Sequence, residues 1–227
     1  MASGFRRQSA PSIALLALLL LTGACSSPRP APPVTPATPS PAAPGPVSPS
    51  PSPAQDLVLV GPAPTDLHDV DWAKTPVPGE FCDVPGLVQP GAEGEATATS
   101  QTWGTVRIQR GINVKYGDTD GDQRDEAAVY VGCDDNGATM SGQLVAAYVV
   151  FTRKGDSLAA IGAITPRHKS AAYITALVGL EFAPGRITVH EKWYRQTDPR
   201  CCPTGDATTV WTLGGNRLTP GEPRVVS

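Results

Sequence analysis

Apolar and polar residues alternate most clearly near the C-terminal third of the chain. Ile174, Ala176, Val178, Leu180 and Phe182 alternate with Tyr173, Thr175, Leu177, Gly179 and Glu181. This two-residue period predicts a β-strand with the even-numbered residues on one face. Ala183-Pro184-Gly185-Arg186 follows, with Pro and Gly at the corners a tight turn favours. Ile187, Val189 and Trp193 then alternate with Thr188, His190, Lys192 and Tyr194, which completes a β-hairpin.

Other segments read the same way. Gln143 to Thr152 is apolar on both faces and predicts a central strand covered on both sides. Lys154-Gly155-Asp156 turns it into a second strand over Ser157 to Ile164. Ile112 to Tyr116 and Ala127 to Cys133 are further strands, with Val129, Val131 and Cys133 on one face. Thr208 to Leu213, Gly214-Gly215-Asn216 and Arg217-Leu218 form a last hairpin. No long stretch carries a 3.6-residue period with caps. The pattern predicts a mainly β, antiparallel, meander-like domain with at most a short helix, an α+β arrangement being the alternative.

The first 55 residues belong to none of this. Arg6 and Arg7 precede an apolar run from Ile13 to Leu21, too short to span a bilayer core of roughly 30 Å. Thr22-Gly23-Ala24-Cys25 follows. Charge, apolar run, small residues and cysteine in this order resemble the lipobox of bacterial lipoproteins. The resemblance implies a signal peptide over residues 1–24, cleavage before Cys25, and a lipid on the Cys25 thiol. It places the chain on the extracytoplasmic face of the cell membrane, with the membrane as its partner through the lipid. Residues 25–55 then form a proline-rich stalk, holding twelve of the chain's 25 prolines and a single charge, Arg29. Such a segment cannot bury a core and stays solvated, reaching roughly 90 Å at about 3.1 Å per residue when extended.

Residues 56–227 are long enough for one globular domain. They carry fifteen basic and twenty-one acidic residues, a net charge of −6. That charge argues against nucleic acid as a partner.

Cys82, Cys133, Cys201 and Cys202 form an even set in an exported chain and predict disulfides. Neither a Cys-x-x-Cys pair nor histidines at ligand spacing accompany them, which argues against zinc. Cys202 precedes Pro203, which biases it towards extended backbone. Neighbouring side chains of an extended chain point to opposite sides, so Cys82 and Cys133 are each expected to pair with one member of Cys201-Cys202.

The segment with most chemistry is Asp118-Thr-Asp120-Gly-Asp122-Gln-Arg-Asp125-Glu126. Carboxylates at its first, third and fifth positions converge when the chain turns tightly. A carbonyl at the seventh and a carboxylate at the ninth can complete an oxygen shell suited to calcium. The segment resembles the calcium loops of FG-GAP repeats, by which likeness the ligands are Asp118, Asp120, Asp122, the Arg124 carbonyl and Glu126. The likeness covers nine residues and occurs once, so it implies no propeller. Gln123 stands where Gly is usual, because the backbone there needs positive φ. An acidic turn whose Asp side chains hold local amides is the competing reading.

Asp71-Trp72, the Gly117-Asp118-x-x-Gly121-Asp122 loop, the strand ending at Cys133 and Asp198-Pro-Arg-Cys-Cys-Pro203 together resemble uncharacterised extracytoplasmic domains of actinobacteria. That likeness runs from Asp69 to Leu218 and implies no reaction.

His68, His168 and His190 are the only histidines. None lies in a catalytic motif such as Gly-x-Ser-x-Gly or His-Glu-x-x-His. Two function classes stay open. One is a non-enzymatic envelope module that binds a protein, glycan or peptide, or contributes to wall organisation. The other is a hydrolase whose site is assembled from dispersed residues.

Overall fold

The computed structural model describes residues 57–137, 142–171 and 173–227. The signal segment, Cys25 and the stalk lie outside the described residues. Residues 57–227 belong to one compact unit.

The strands are β1 (Val58–Pro62), β2 (Val77–Pro78), β3 (Leu87–Val88), β4 (Glu95–Ser100), β5 (Gly104–Gly117), β6 (Glu126–Asp134) and β7 (Gln143–Lys154). They continue with β8 (Ser157–Ile164), β9 (Ala176–Ala183), β10 (Arg186–Trp193), β11 (Gly205–Gly214), β12 (Arg217–Pro220) and β13 (Arg224–Val225). The fold is mainly β and antiparallel, as the alternation predicts. In place of a short α-helix there are two three-residue 3-10 turns, Leu67–Asp69 and Glu80–Cys82.

A six-stranded sheet runs β1-β8-β7-β6-β5-β4. A second sheet runs β12-β11-β10-β9, with β13 also paired to β11. Apart from β1, the large sheet is a meander, because each hairpin turn returns the chain beside the strand it left.

The large sheet is covered on both faces. Val129, Val131, Cys133, Ala147, Val149 and Phe151 on one face meet Leu67, Trp72, Val77, Phe81 and Val84 of the segment after β1. Ala128, Tyr148, Val150 and Ile161 on the other meet Leu177, Ile187, Val189 and Trp211 of the second sheet. β7 is therefore buried continuously from Ala146 to Thr152, which is why its sequence shows no alternation.

The predicted phase of β9 fails at one point. Leu177 is buried, whereas Val178 is 56% exposed. The pairing with β10 steps from Gly179↔His190 to Leu177↔Glu191, so Val178 is the extra residue of a β-bulge. A bulge reverses which residues face inward, and Thr175 and Leu177 become the core positions before it.

The expected cysteine pairing is also corrected. Cys82 bonds to Cys133, and Cys201 bonds to Cys202. Cys133 does lie in the core, on the face of β6 that meets the covering segment, where the Glu80–Cys82 turn brings its partner. The Cys201-Cys202 loop leaves the second sheet, which packs on the opposite face. Residues 199–202 form a turn, with the Cys202 amide donating to the Pro199 carbonyl at 3.0 Å, so Cys201 occupies a corner of the turn and the two cysteines do not lie along one extended strand.

Candidate functional site: an acidic loop at the junction of the two sheets

The loop from Asp118 to Asp125 joins β5 to β6 and is organised from its end. Glu126 opens β6 with its side chain buried. Its Oε2 accepts from the amides of Thr119 at 2.6 Å and Asp120 at 3.3 Å. Its Oε1 accepts from the Thr152 hydroxyl of β7 at 3.0 Å. Desolvation raises the Glu126 pKa above its ordinary value; the Thr119 amide opposes the rise and the Asp120 charge adds to it.

The aspartates brace the rest of the turn. Asp118 accepts from the amides of Gly121 at 2.7 Å and Gln123 at 3.0 Å. Asp120 accepts from the Asp122 amide at 3.2 Å, and Asp122 from the Arg124 amide at 2.9 Å. Gln123 has φ 67°, the strained position at which glycine is usual.

Of the four expected carboxylates, three converge. One oxygen each of Asp118, Asp120 and Glu126 lie within 4.8 Å of one another. Asp122 stands outside this group, because its carboxylate holds the Arg124 guanidinium. That contact is the first cause of a lowered Asp122 pKa and a raised Arg124 pKa. Lys154 reaches Asp120 at 3.9 Å from the end of β7.

The loop also links the sheets. The Gly185 amide in the β9–β10 turn donates to the Thr119 carbonyl at 2.7 Å, and Thr119 is fully buried. Phe182 of β9 packs on Gly117, where an added Cβ would meet its side chain at 2.5 Å. Three hard carboxylate donors, arranged around prepaid backbone hydrogen bonds, suit a calcium ion better than a soft metal. The chain matches no protein-family model, no curated protein and no solved structure.

The histidines fall in three places. His68 stacks on Tyr116 at 3.9 Å between ring centroids, and Trp72 Nε1 donates to the Tyr116 hydroxyl at 2.9 Å. His68 Nδ1 lies 2.7 Å from Asp66 Oδ1, and its Nε2 lies 3.9 Å from Asp125. The His68 amide, and then its ring, lower the Asp66 pKa. His190 Nε2 lies 3.0 Å from Glu181, and His168 packs on Trp193.

Two features escape sequence reasoning. Glu191, on the inward face of β10, is 1% exposed and accepts from the amides of Arg167 and His168 and the Thr209 hydroxyl. A groove of about 580 Å³ is lined by Tyr130, Gln143, Tyr173, Tyr194 and Arg200. Neither has a local motif, since each is assembled from distant strands. Of the tryptophans on the second sheet, Trp211 is buried in the core, and Trp193 packs its ring on Gly205.

Proposed function

We propose that this chain is a lipid-anchored extracytoplasmic lipoprotein whose β-sandwich is a non-enzymatic binding or structural module of the cell envelope. The lipid sits on Cys25, and the proline-rich stalk sets the distance between membrane and domain. The observation that carries the reading is the Cys82–Cys133 bond, buried between the covering segment and β6. Buried structural disulfides belong to oxidising compartments, which agrees with export.

In this reading Asp118, Asp120 and Glu126 hold calcium together with the Arg124 carbonyl, and Asp122 joins them by releasing Arg124. The ion supplies charge balance and rigidity where the two sheets meet, and takes no part in a reaction.

The test is fractionation. Cys25→Ser should move the protein from the membrane fraction to the soluble fraction and remove an acyl mass from the mature N-terminus. Unchanged fractionation with no acyl mass would refute the anchor.

The hydrolase reading draws on one observation, the Asp66–His68 pair beside a pocket of about 360 Å³ that includes Arg124, Asp125 and Arg153. A carboxylate that fixes a histidine is the arrangement a general base uses. Hydrolysis of an ester or glycoside that disappears in His68→Ala, with the melting temperature unchanged, would establish it.

A further inference from the structure

Strand β8 outruns its outer partner. β1 pairs with it from Pro62↔Ser157 to Val58↔Ala160 and goes no further. On the inner side β7 stays paired as far as Tyr148↔Ile164. From Ile161 to Ile164 the outer edge of β8 therefore has no strand beside it among the described residues. An open edge presents a row of backbone donors and acceptors to whatever lies next to it.

The domain has other strand edges, but this one lies along a groove. The groove has a volume of about 610 Å³, within the range of a ligand site. Gly162 and Ala163 line it from β8, and residues this small let a second backbone approach the edge closely. One wall is the segment that covers the large sheet, through Phe81, Val84 and the carboxylates of Glu80 and Asp83. The other wall is the second sheet, through Trp211 and Leu218. β12 passes close to β8 there, since a Cβ added at Gly162 would meet the Leu218 side chain at 3.4 Å.

The walls differ in chemistry. Glu80 is exposed, and Asp83 is steadied by the Thr102 hydroxyl, which donates to it at 2.5 Å. Two carboxylates on one side favour a basic group beside them. On the other side Trp211 and Leu218 are apolar and almost fully buried. Trp211 Nε1 is buried without a hydrogen-bond partner, and a backbone carbonyl is the acceptor it lacks.

An extended peptide beside an open edge continues the ladder with its backbone and turns alternate side chains to opposite walls. We propose that this groove binds an extended segment of another protein, which adds a strand to β8 beyond the end of β1. Basic side chains of the segment face Glu80 and Asp83, and the apolar ones between them face Trp211 and Leu218. The proposal rests on the binding-module reading above and names the partner of that module.

The test uses the full chain purified in detergent at low ionic strength. The first probe is a seven-residue peptide alternating lysine and valine. Two further forms carry N-methyl groups, one on its lysine amides and one on its valine amides. A fourth peptide alternates glutamate and valine. The first should bind with a dissociation constant of about 0.1 mM or lower, and should protect the amides from Ile161 to Thr165 against hydrogen exchange. Successive residues of a strand turn their amides to opposite edges, so one N-methylated form should lose binding and the other keep it. The glutamate peptide should bind at least about fivefold more weakly. Glu80→Lys should weaken the lysine peptide about fivefold or more at unchanged melting temperature. Glu93→Lys makes the same charge change in the exposed β3–β4 loop and should leave binding unchanged.

Equal behaviour of the two N-methylated forms, or equal losses in Glu80→Lys and Glu93→Lys, would reduce binding to general charge attraction and overturn the proposal. Dimers of the full chain that Glu80→Lys dissolves, with no peptide bound, would give the edge to a second copy and overturn it too. Mass spectrometry of the same samples separates this failure from that of the parent reading. Peptide recovered whole and unbound removes the strand partner and keeps the non-enzymatic module, whereas cleaved peptide removes both.

Discussion

Glu126 and Glu191 perform the same operation at two different loops. Each is buried on an inner strand, each accepts from two successive backbone amides, and each takes a threonine hydroxyl from the neighbouring strand. Glu126 holds Thr119 and Asp120 with Thr152; Glu191 holds Arg167 and His168 with Thr209. A buried carboxylate is costly alone, but here it replaces the partners that the turning backbone lacks.

Truncating either residue should therefore cost more than its size suggests. Glu126→Ala and Glu191→Ala each strand two amides and a hydroxyl, at about 1–3 kcal/mol per group left unsatisfied. Losses of about 3 kcal/mol or more by urea denaturation are expected. Glutamine can accept from the amides and donate to the threonine hydroxyl, so Glu126→Gln and Glu191→Gln should lose less than about 1.5 kcal/mol. Equal losses for Ala and Gln would show that packing, and not amide capture, is the role.

The two glutamates part company over calcium. Only Glu126 has Asp118 and Asp120 beside it. At an affinity on the order of 10⁻⁴ to 10⁻³ M, a few millimolar calcium should stabilise the protein by about 1–2 kcal/mol. Glu126→Gln and Asp118→Asn should abolish this rise in melting temperature, and Glu191→Gln should leave it intact. Coincident melting curves in calcium and chelator would return the loop to a turn held by its own aspartates.

The pH response of the Tyr194–Thr204 segment follows from Asp198. The Thr204 amide is the first cause of its lowered pKa, with the Arg195 amide and the Thr204 hydroxyl adding to it. A depressed carboxylate contributes stability that is present above its ordinary value of 3.8 and is lost as pH falls through the lowered folded value. The Arg195 and Thr204 amides should stay protected from hydrogen exchange down to pH 4 and lose protection below it. Asp198→Asn should show weak protection at every pH. Protection that persists in Asp198→Asn would remove the carboxylate as the clamp.

Where the sequence is legible and where it is not has a physical pattern. The turns at Gly155, Gly185 and Gly215 are readable, because each glycine takes the positive φ that the hairpin needs. The uniform apolarity of β7 reflects its two covers. β4 is hidden, because its Glu-Ala-Thr-Ala-Thr-Ser sequence alternates between small residues at a sheet edge. β5 is only half visible, because its pairing with β6 slips between Arg110 and Val114 and breaks the period. The acidic loop is readable in composition, and three of its carboxylates do converge. Its fourth does not, because Asp122 and Arg124 are close enough in the chain to satisfy each other. Glu191 and the tyrosine groove depend on contacts between distant strands, which no local spacing encodes.

The cysteines give the sharpest test of the topology. Cys82 and Cys133 are both fully buried, whereas Cys201 and Cys202 are exposed. Peptide mapping without reduction should therefore join the Cys82 and Cys133 peptides and leave Cys201 and Cys202 bonded within one peptide. Mild thiol reductant at neutral pH should open only the second bond, since the first is reached only by unfolding. The bonds also differ in what they constrain. Cys82–Cys133 spans 51 residues and contributes about 4 kcal/mol in the chain-entropy model. Cys201–Cys202 spans one and removes almost no freedom from the unfolded chain. Cys82→Ser with Cys133→Ser should thus lower stability by several kcal/mol, while Cys201→Ser with Cys202→Ser should change it by less than about 1 kcal/mol. A Cys82 or Cys133 peptide joined to the one holding Cys201 and Cys202 would contradict the packing of β6 against the covering segment. It would require Cys133 to reach through the sheet to the face that carries Tyr148 and Val150.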